Sequence, residues 1–206
     1  MKETADKKTL FIGVWNLANG VTWLGIAAAV VAMWFALSEN PRIAMLLFLV
    51  SGLCDLFDGR VARMFERTDV EKAFGIQLDS FADTVSFVVF PAVFLLTLTT
   101  APWAVVLAIL YVLAGITRLC WFDITTDGDT KYFAGVPVTY MALVLPLAWV
   151  IVQAVALNAA PYVTAPVLAV MGILYVLNIK VKKPGGVWYA IFGVIAIALA
   201  VLLLVL

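Results

Sequence analysis

Apolar residues in this chain run in long unbroken blocks, separated by short polar stretches. Backbone N–H and C=O groups have no water to bond in hydrocarbon, so apolar runs of about 20 residues predict spanning helices. Blocks of this kind occupy 14–37, 43–57, 76–98, 103–122, 136–157, 162–179 and 187–206. The second is short for a span unless its helix continues past Asp58. The longest polar stretches, 59–75 and 123–131, are too small to form a soluble domain. The pattern predicts an all-α polytopic bundle of about seven spans, six to eight, in one integral-membrane domain covering 1–206, with 1–13 a short cytoplasmic segment. The first ten residues are polar and carry both signs of charge, and no small-residue cleavage site follows a short apolar core. The first span is therefore expected to be retained.

Composition sharpens this reading. The chain is 65% hydrophobic and 13% charged, with a mean hydropathy of +1.10, outside the range of soluble domains. It has no histidine, which excludes imidazole triads, His-based zinc sites and imidazole proton shuttles. Cys54 and Cys120 lie in apolar stretches without CxxC spacing and are expected as small buried residues. A net charge of zero argues against a nucleic-acid partner. With the N-terminus in the cytoplasm and seven crossings, 12 of the 13 basic residues fall inside and Arg42 alone outside. That bias sets a cytoplasmic N-terminus in a cell membrane and puts Leu206 on the far side. The tryptophans cluster toward predicted span ends, as an interfacial belt does.

The candidate chemistry is acidic. Asp55 and Asp58 end the second block, while Asp79 and Asp83 begin the third. Spacings of three and four residues put each pair on one helix face, and a hairpin brings both to the same depth. Four converging carboxylates repel one another, so they must take up protons, pair with bases or bind hard cations. Magnesium, manganese and calcium all fit such oxygen ligands. The competing arrangement leaves the aspartates in interfacial water, paired with Arg60, Arg63, Arg67 and Lys72. A divalent-cation transporter is a further alternative, opposed by the position of the acids near one membrane face and by the lack of an inverted repeat.

These residues also carry a resemblance. Asp55-Leu-Phe-Asp58-Gly59-Arg-Val-Ala62-Arg63, followed by Gly75-Ile-Gln-Leu-Asp79-Ser-Phe-Ala-Asp83, resembles the CDP-alcohol phosphatidyltransferase signature DxxDGxxAR…GxxxDxxxD at every fixed position. The spacer 64–74 is longer than usual in that family. Softer elements resemble the CDP-diacylglycerol–serine branch: the stretch from Asp79 to Phe87, then Arg118 to Asp123, Phe133 to Pro137, and Val176 to Lys180. Cys120, Trp121, Asp123, Val136 and Leu177 replace branch-typical residues, and Asp123 adds a negative charge where Asn is usual.

The resemblance implies transfer of a phosphatidyl group from CDP-diacylglycerol to L-serine, with release of CMP, by an enzyme that is commonly a homodimer. It implies two divalent cations, Mg2+ or Mn2+, held by Asp55, Asp58, Asp79 and Asp83, with Asp83 also the general base. An alcohol is a poor nucleophile at neutral pH, and without histidine a carboxylate is the remaining base. Asn19, Thr22, Asp55, Gly59, Ala62, Arg63 and Thr68 are implied at the CDP-lipid, the last within the long spacer. Arg118 and Lys131 offer positive charge to an acceptor carboxylate or a lipid phosphate. Other acceptors (glycerol 3-phosphate, inositol phosphate, choline) and an ether-linked donor remain alternatives, although few basic residues outside the signature suit a phosphorylated acceptor.

Overall fold

A computed structural model describes residues 12–125, 132–182 and 186–205. It is an all-helical bundle with one small strand pair. Helix α1 (Leu17–Leu37) turns through Ser38, Glu39 and Asn40 into α2 (Pro41–Ala62). Next comes α3 (Asp69–Asp83), which runs without interruption through a π-helical segment (Thr84–Val89) into α4 (Phe90–Leu98). Then follow α5 (Pro102–Thr125), β1 (Tyr132–Ala134), α6 (Met141–Val155), α7 (Ala160–Val176), β2 (Lys180–Lys182) and α8 (Gly186–Val205). Among the described residues, six helical stretches are long and apolar enough to cross a membrane. The seventh, α2, has the length at 22 residues but carries Arg42, Asp55, Asp58 and Arg60. It does continue past Asp58, as a short second block required.

Two boundaries differ from the hydropathy reading. The third helix starts at Asp69 rather than at 76, because Thr68 caps it. The Thr68 hydroxyl accepts from the Glu71 N–H, and the Glu71 carboxylate accepts from the Thr68 N–H at 2.8 Å. This reciprocal cap, with Asp69 and Glu71 in the first turn, stabilises a polar helical start that a hydropathy window misses. The fourth block's helix, α5, extends to Thr125 rather than stopping at 122. Cys54 is buried as expected, but Cys120 is exposed on the outer side of α5.

The packing follows from residue size. Ala18, Gly25, Ala29, Ala32 and Ala36 form a buried stripe of small residues on α1, which lies along α2. A Cβ on Gly25 would stand 3.0 Å from Cys54 Cβ. Close backbone approach of this kind is the main source of helix association in lipid, where apolar burial supplies no driving force. Inside the bundle, Phe48, Phe90, Phe94 and Trp149 form a chain of ring contacts from α2 through α4 to α6.

The π segment has an identifiable cause. Pro91 has no N–H, and its ring crowds the carbonyl four residues back, that of Phe87. The helix widens there, with the Phe90 N–H donating to Val85 O, five residues earlier. The Phe87 carbonyl finds its donor on another helix: the Tyr111 hydroxyl, on α5, donates to it at 2.7 Å. Tyr111 also meets the Tyr175 hydroxyl at 3.2 Å, so the π segment, α5 and α7 are joined by buried polar contacts.

The strand pair was not anticipated. β1 and β2 are antiparallel, with Tyr132 opposite Lys182 and Ala134 opposite Lys180. They clasp the segment after α5 to the end of α7. Gly135 follows at φ +75°, its N–H donating to Ile179 O at 2.9 Å, and a Cβ there would stand 2.6 Å from Tyr175 O. Only glycine meets both conditions without strain.

Candidate active site

The four aspartates converge as their spacing predicts. Asp55 and Asp58 face inward from the last turns of α2, and Asp79 and Asp83 from the end of α3. Asp55, Asp58 and Asp79 each present an oxygen within 4.8 Å of the others, which suits a shared divalent cation bound by hard oxygen ligands. Asp83 stands beside Asp55, is only 8% exposed, and its Oδ1 has no hydrogen-bond partner among the described residues.

The basic residues do not neutralise the cluster. Among the described residues the ion pair within 4 Å is Lys72–Asp69, on the surface of α3. Arg60 lies over the Tyr189 ring, 4.5 Å from its centroid. Arg118 is buried, stacked 4.7 Å from the Phe122 centroid, with its Nε unpartnered. The interfacial pairing arrangement is therefore not the one adopted. Thr22 on α1 does supply a bond, its hydroxyl donating to Asp58 Oδ2 at 2.8 Å and fixing that carboxylate's orientation.

Two cavities meet at the cluster. One, of about 320 Å³, lies between the start of α1, the end of α2 and the start of α3, and is lined by Asn19, Thr22, Asp58, Ala62, Arg67 and Lys72. The other, of about 260 Å³, has Asp55, Asp79, Asp83 and Arg118 at its polar end. Its walls are apolar, from Leu49 and Leu53 on α2, Leu143 on α6, and Phe192 and Ala196 on α8. Gly59, Arg63 and Asp79 line both. Gly59 sits at this junction, with Arg63 Nη1 the nearest atom a Cβ would meet, at 3.7 Å. A side chain there would narrow the passage between the cavities.

Asn19, Thr22, Gly59, Ala62 and Arg63 thus share one cavity wall with Asp58 and Asp79. Asn19 is held by its side-chain amide, which donates to Val14 O at 2.8 Å. Thr68 is not with them: it is the exposed N-cap of α3 and lines neither cavity. Lys131 lies outside the described residues. Asp123 is at the rim, where both its oxygens accept from the Ser80 hydroxyl at 2.9 and 2.8 Å.

The structure adds residues that sequence reasoning missed. Arg67 and Lys72 line the larger cavity beside Gly75 of the signature; the two bases looked like generic positive charge in a long polar spacer. Thr139, Tyr140, Tyr189 and Phe192 line the other, and nothing in the uniformly apolar α8 marked its inner face. The Thr68-x-x-Glu71 capping pattern was the one local signal that would have placed Lys72 and Gly75 on a helix.

Comparison with known proteins agrees with this geometry. The chain is 34% identical over 129 residues to the CDP-diacylglycerol–serine O-phosphatidyltransferase of Mycobacterium tuberculosis, covering 59% of this chain and 44% of that protein. It is 32% identical over 164 residues to the Saccharomyces cerevisiae enzyme of the same name, covering 71% and 58%. To the archaetidylserine synthase of Methanothermobacter thermautotrophicus it is 32% identical over 143 residues, covering 68% and 59%. The chain thus spans about half the length of these relatives. The CDP-alcohol phosphatidyltransferase family model matches residues 15–206, an interval that holds all four aspartates and both cavities, and the chain belongs to that family.

Proposed function

We propose that this protein transfers the phosphatidyl group of CDP-diacylglycerol to L-serine, giving phosphatidylserine and CMP. One observation carries the reading. A set of three carboxylates able to hold cations, with the unpartnered oxygen of buried Asp83 beside it, lies where a polar cavity meets an apolar-walled one. A substrate with a nucleotide head and a lipid tail has those two requirements. The names of the relatives support serine as acceptor.

The cytidine diphosphate head occupies the larger cavity, against Asn19, Thr22, Ala62 and Arg63, with Arg67 and Lys72 adding positive charge for phosphate. The acyl chains lie along the apolar wall of α2, α6 and α8. Asp55, Asp58, Asp79 and Asp83 hold two divalent cations, Mg2+ or Mn2+. Such ions, when bound, neutralise the diphosphate and the leaving group. Arg118 faces the serine carboxylate from the polar end of the second cavity. Asp83 accepts the serine hydroxyl proton as that oxygen bonds to the phosphorus bearing diacylglycerol. The bond from this phosphorus to the bridging oxygen breaks, and CMP leaves with the electron pair. The site faces the cytoplasm, following the distribution of basic residues, and the chain works as a single catalytic domain in a homodimer.

The test is CMP release by the purified protein in mixed micelles, with serine, glycerol 3-phosphate, inositol phosphate and choline offered in turn, with and without EDTA. An ether-linked CDP-lipid is run beside CDP-diacylglycerol. Serine-dependent, EDTA-sensitive release is expected. Release with a different acceptor overturns the choice of serine, and no metal-dependent release with any acceptor overturns the transferase reading. Asp83→Asn is expected to lower turnover by about 10²–10⁴-fold while CDP-lipid binding is kept. Equal loss of both would make Asp83 a ligand and not the base.

A further inference from the structure

A third, small chamber of about 10 Å³ lies between α1, α2, the end of α3 and the π segment. That is the room one water molecule needs. Thr22, Ser51, Asp55, Asp58, Asp83 and Ser86 line it together with Gly25, Ala82 and Phe87, so hydroxyl and carboxyl residues share it with apolar ones. Ser51 and Ser86 are 1% and 2% exposed, and the Ser51 hydroxyl donates to Ser86 Oγ at 2.9 Å. Ser51 lies one turn before Asp55 on α2, and Ser86 three residues after Asp83 in the π segment. The pair therefore ties together the two elements that carry the acids.

Hydroxyl bookkeeping gives the pair a direction. Each serine has one proton. Ser51 spends its proton on Ser86, which leaves the Ser86 proton to be donated onward. The buried carboxyl oxygen still lacking a donor is Asp83 Oδ1, on the same chamber. A buried carboxylate oxygen left without a donor costs more than an ordinary hydrogen bond gains.

We propose that this chamber holds one water molecule, which accepts from Ser86 and donates to Asp83 Oδ1, making Ser51 and Ser86 positioning residues for Asp83. The relay Ser51 to Ser86 to water to Asp83 holds one carboxylate oxygen and leaves the other for the acceptor hydroxyl. Neither serine touches substrate. The π turn has a purpose in this arrangement, because it brings Ser86 toward α2 just beyond the base. The inference rests on Asp83 acting as base, as proposed above.

The test compares Ser51→Ala, Ser86→Ala and Ser86→Thr with the unchanged protein in the CMP-release assay, measuring kcat, both KM values and thermal stability. Each alanine variant is expected to lose about tenfold in kcat, the equivalent of one hydrogen bond, with both KM values within about twofold. Ser86→Thr restores the hydroxyl and recovers most of the rate. Ser86→Ala in an Asp83→Asn background produces no further loss, since the relay acts through that carboxylate. Unchanged kcat in both alanine variants, or a loss confined to thermal stability, overturns the inference. A further loss of turnover in the Asp83→Asn background overturns it as well. Asp83→Asn with undiminished turnover instead overturns the assignment of the base.

Discussion

Removing the Tyr111 hydroxyl tests the account of the π segment. In Tyr111→Phe the ring stays, in a position only 1% exposed, and the Phe87 carbonyl loses its donor. The residue four positions on, Pro91, has no N–H to take its place. A buried acceptor left unsatisfied costs about 1–3 kcal/mol. The lost contact with Tyr175 adds little, since that hydroxyl keeps Val138 O at 3.4 Å. Pro91→Ala supplies the missing N–H, so in that background Tyr111→Phe is expected to cost less than about 1 kcal/mol. With about 2 kcal/mol, the middle of that range, the coupling between the two changes is about 1 kcal/mol or more, well above what independent sites show. Reversible SDS unfolding in mixed micelles, followed by tryptophan fluorescence, measures all four corners of the cycle. Equal cost of Tyr111→Phe in the two backgrounds would refute the argument that proline creates the need for the tyrosine.

Other expectations follow from the site and its supports. Asp58→Asn and Asp79→Asn each weaken Mn2+ binding, read by electron paramagnetic resonance, by at least about tenfold, since each removes an anionic ligand; unchanged binding in both would place the cation elsewhere. Arg118→Gln raises KM for serine by about tenfold or more while KM for CDP-diacylglycerol holds, if the buried guanidinium faces the acceptor carboxylate; a rise confined to the lipid KM would assign it to the donor. Gly135→Ala destabilises the fold by at least about 1–2 kcal/mol from the positive φ alone, before the clash with Tyr175 O. It should lower the thermal midpoint in detergent, and an unchanged midpoint would mean that the clasp is dispensable.

What the sequence made legible divides along the range of the interactions. The helices were readable because lipid leaves an apolar run one way to satisfy its backbone, and the aspartates because spacings of three and four fix a helix face. The start of α3 was hidden because its stability comes from a cap and a charged first turn, not from hydropathy. The strand pair joins Ala134 to Lys180, and three residues of alternation carry no usable signal. Pro91 marks a disturbance in its helix, yet that Tyr111 answers it is a fact of tertiary packing. In the same way, Ser51 and Ser86 look like ordinary small residues until the fold joins them across one small chamber.

The composition of α2 bears on how the chain enters the bilayer. Asp and Arg residues each cost about 2.5–3.5 kcal/mol at the centre of an inserting helix and less toward its ends. With four charged residues, α2 is the long helix least able to leave the translocon for lipid alone. The remedy lies one turn of chain away. Three residues separate α2 from α1, whose small-residue stripe receives its backbone and whose Thr22 already holds a donor for Asp58. The two helices then partition together as a preassembled hairpin, and α1 serves as an intramolecular chaperone for the helix that carries half of the acidic cluster.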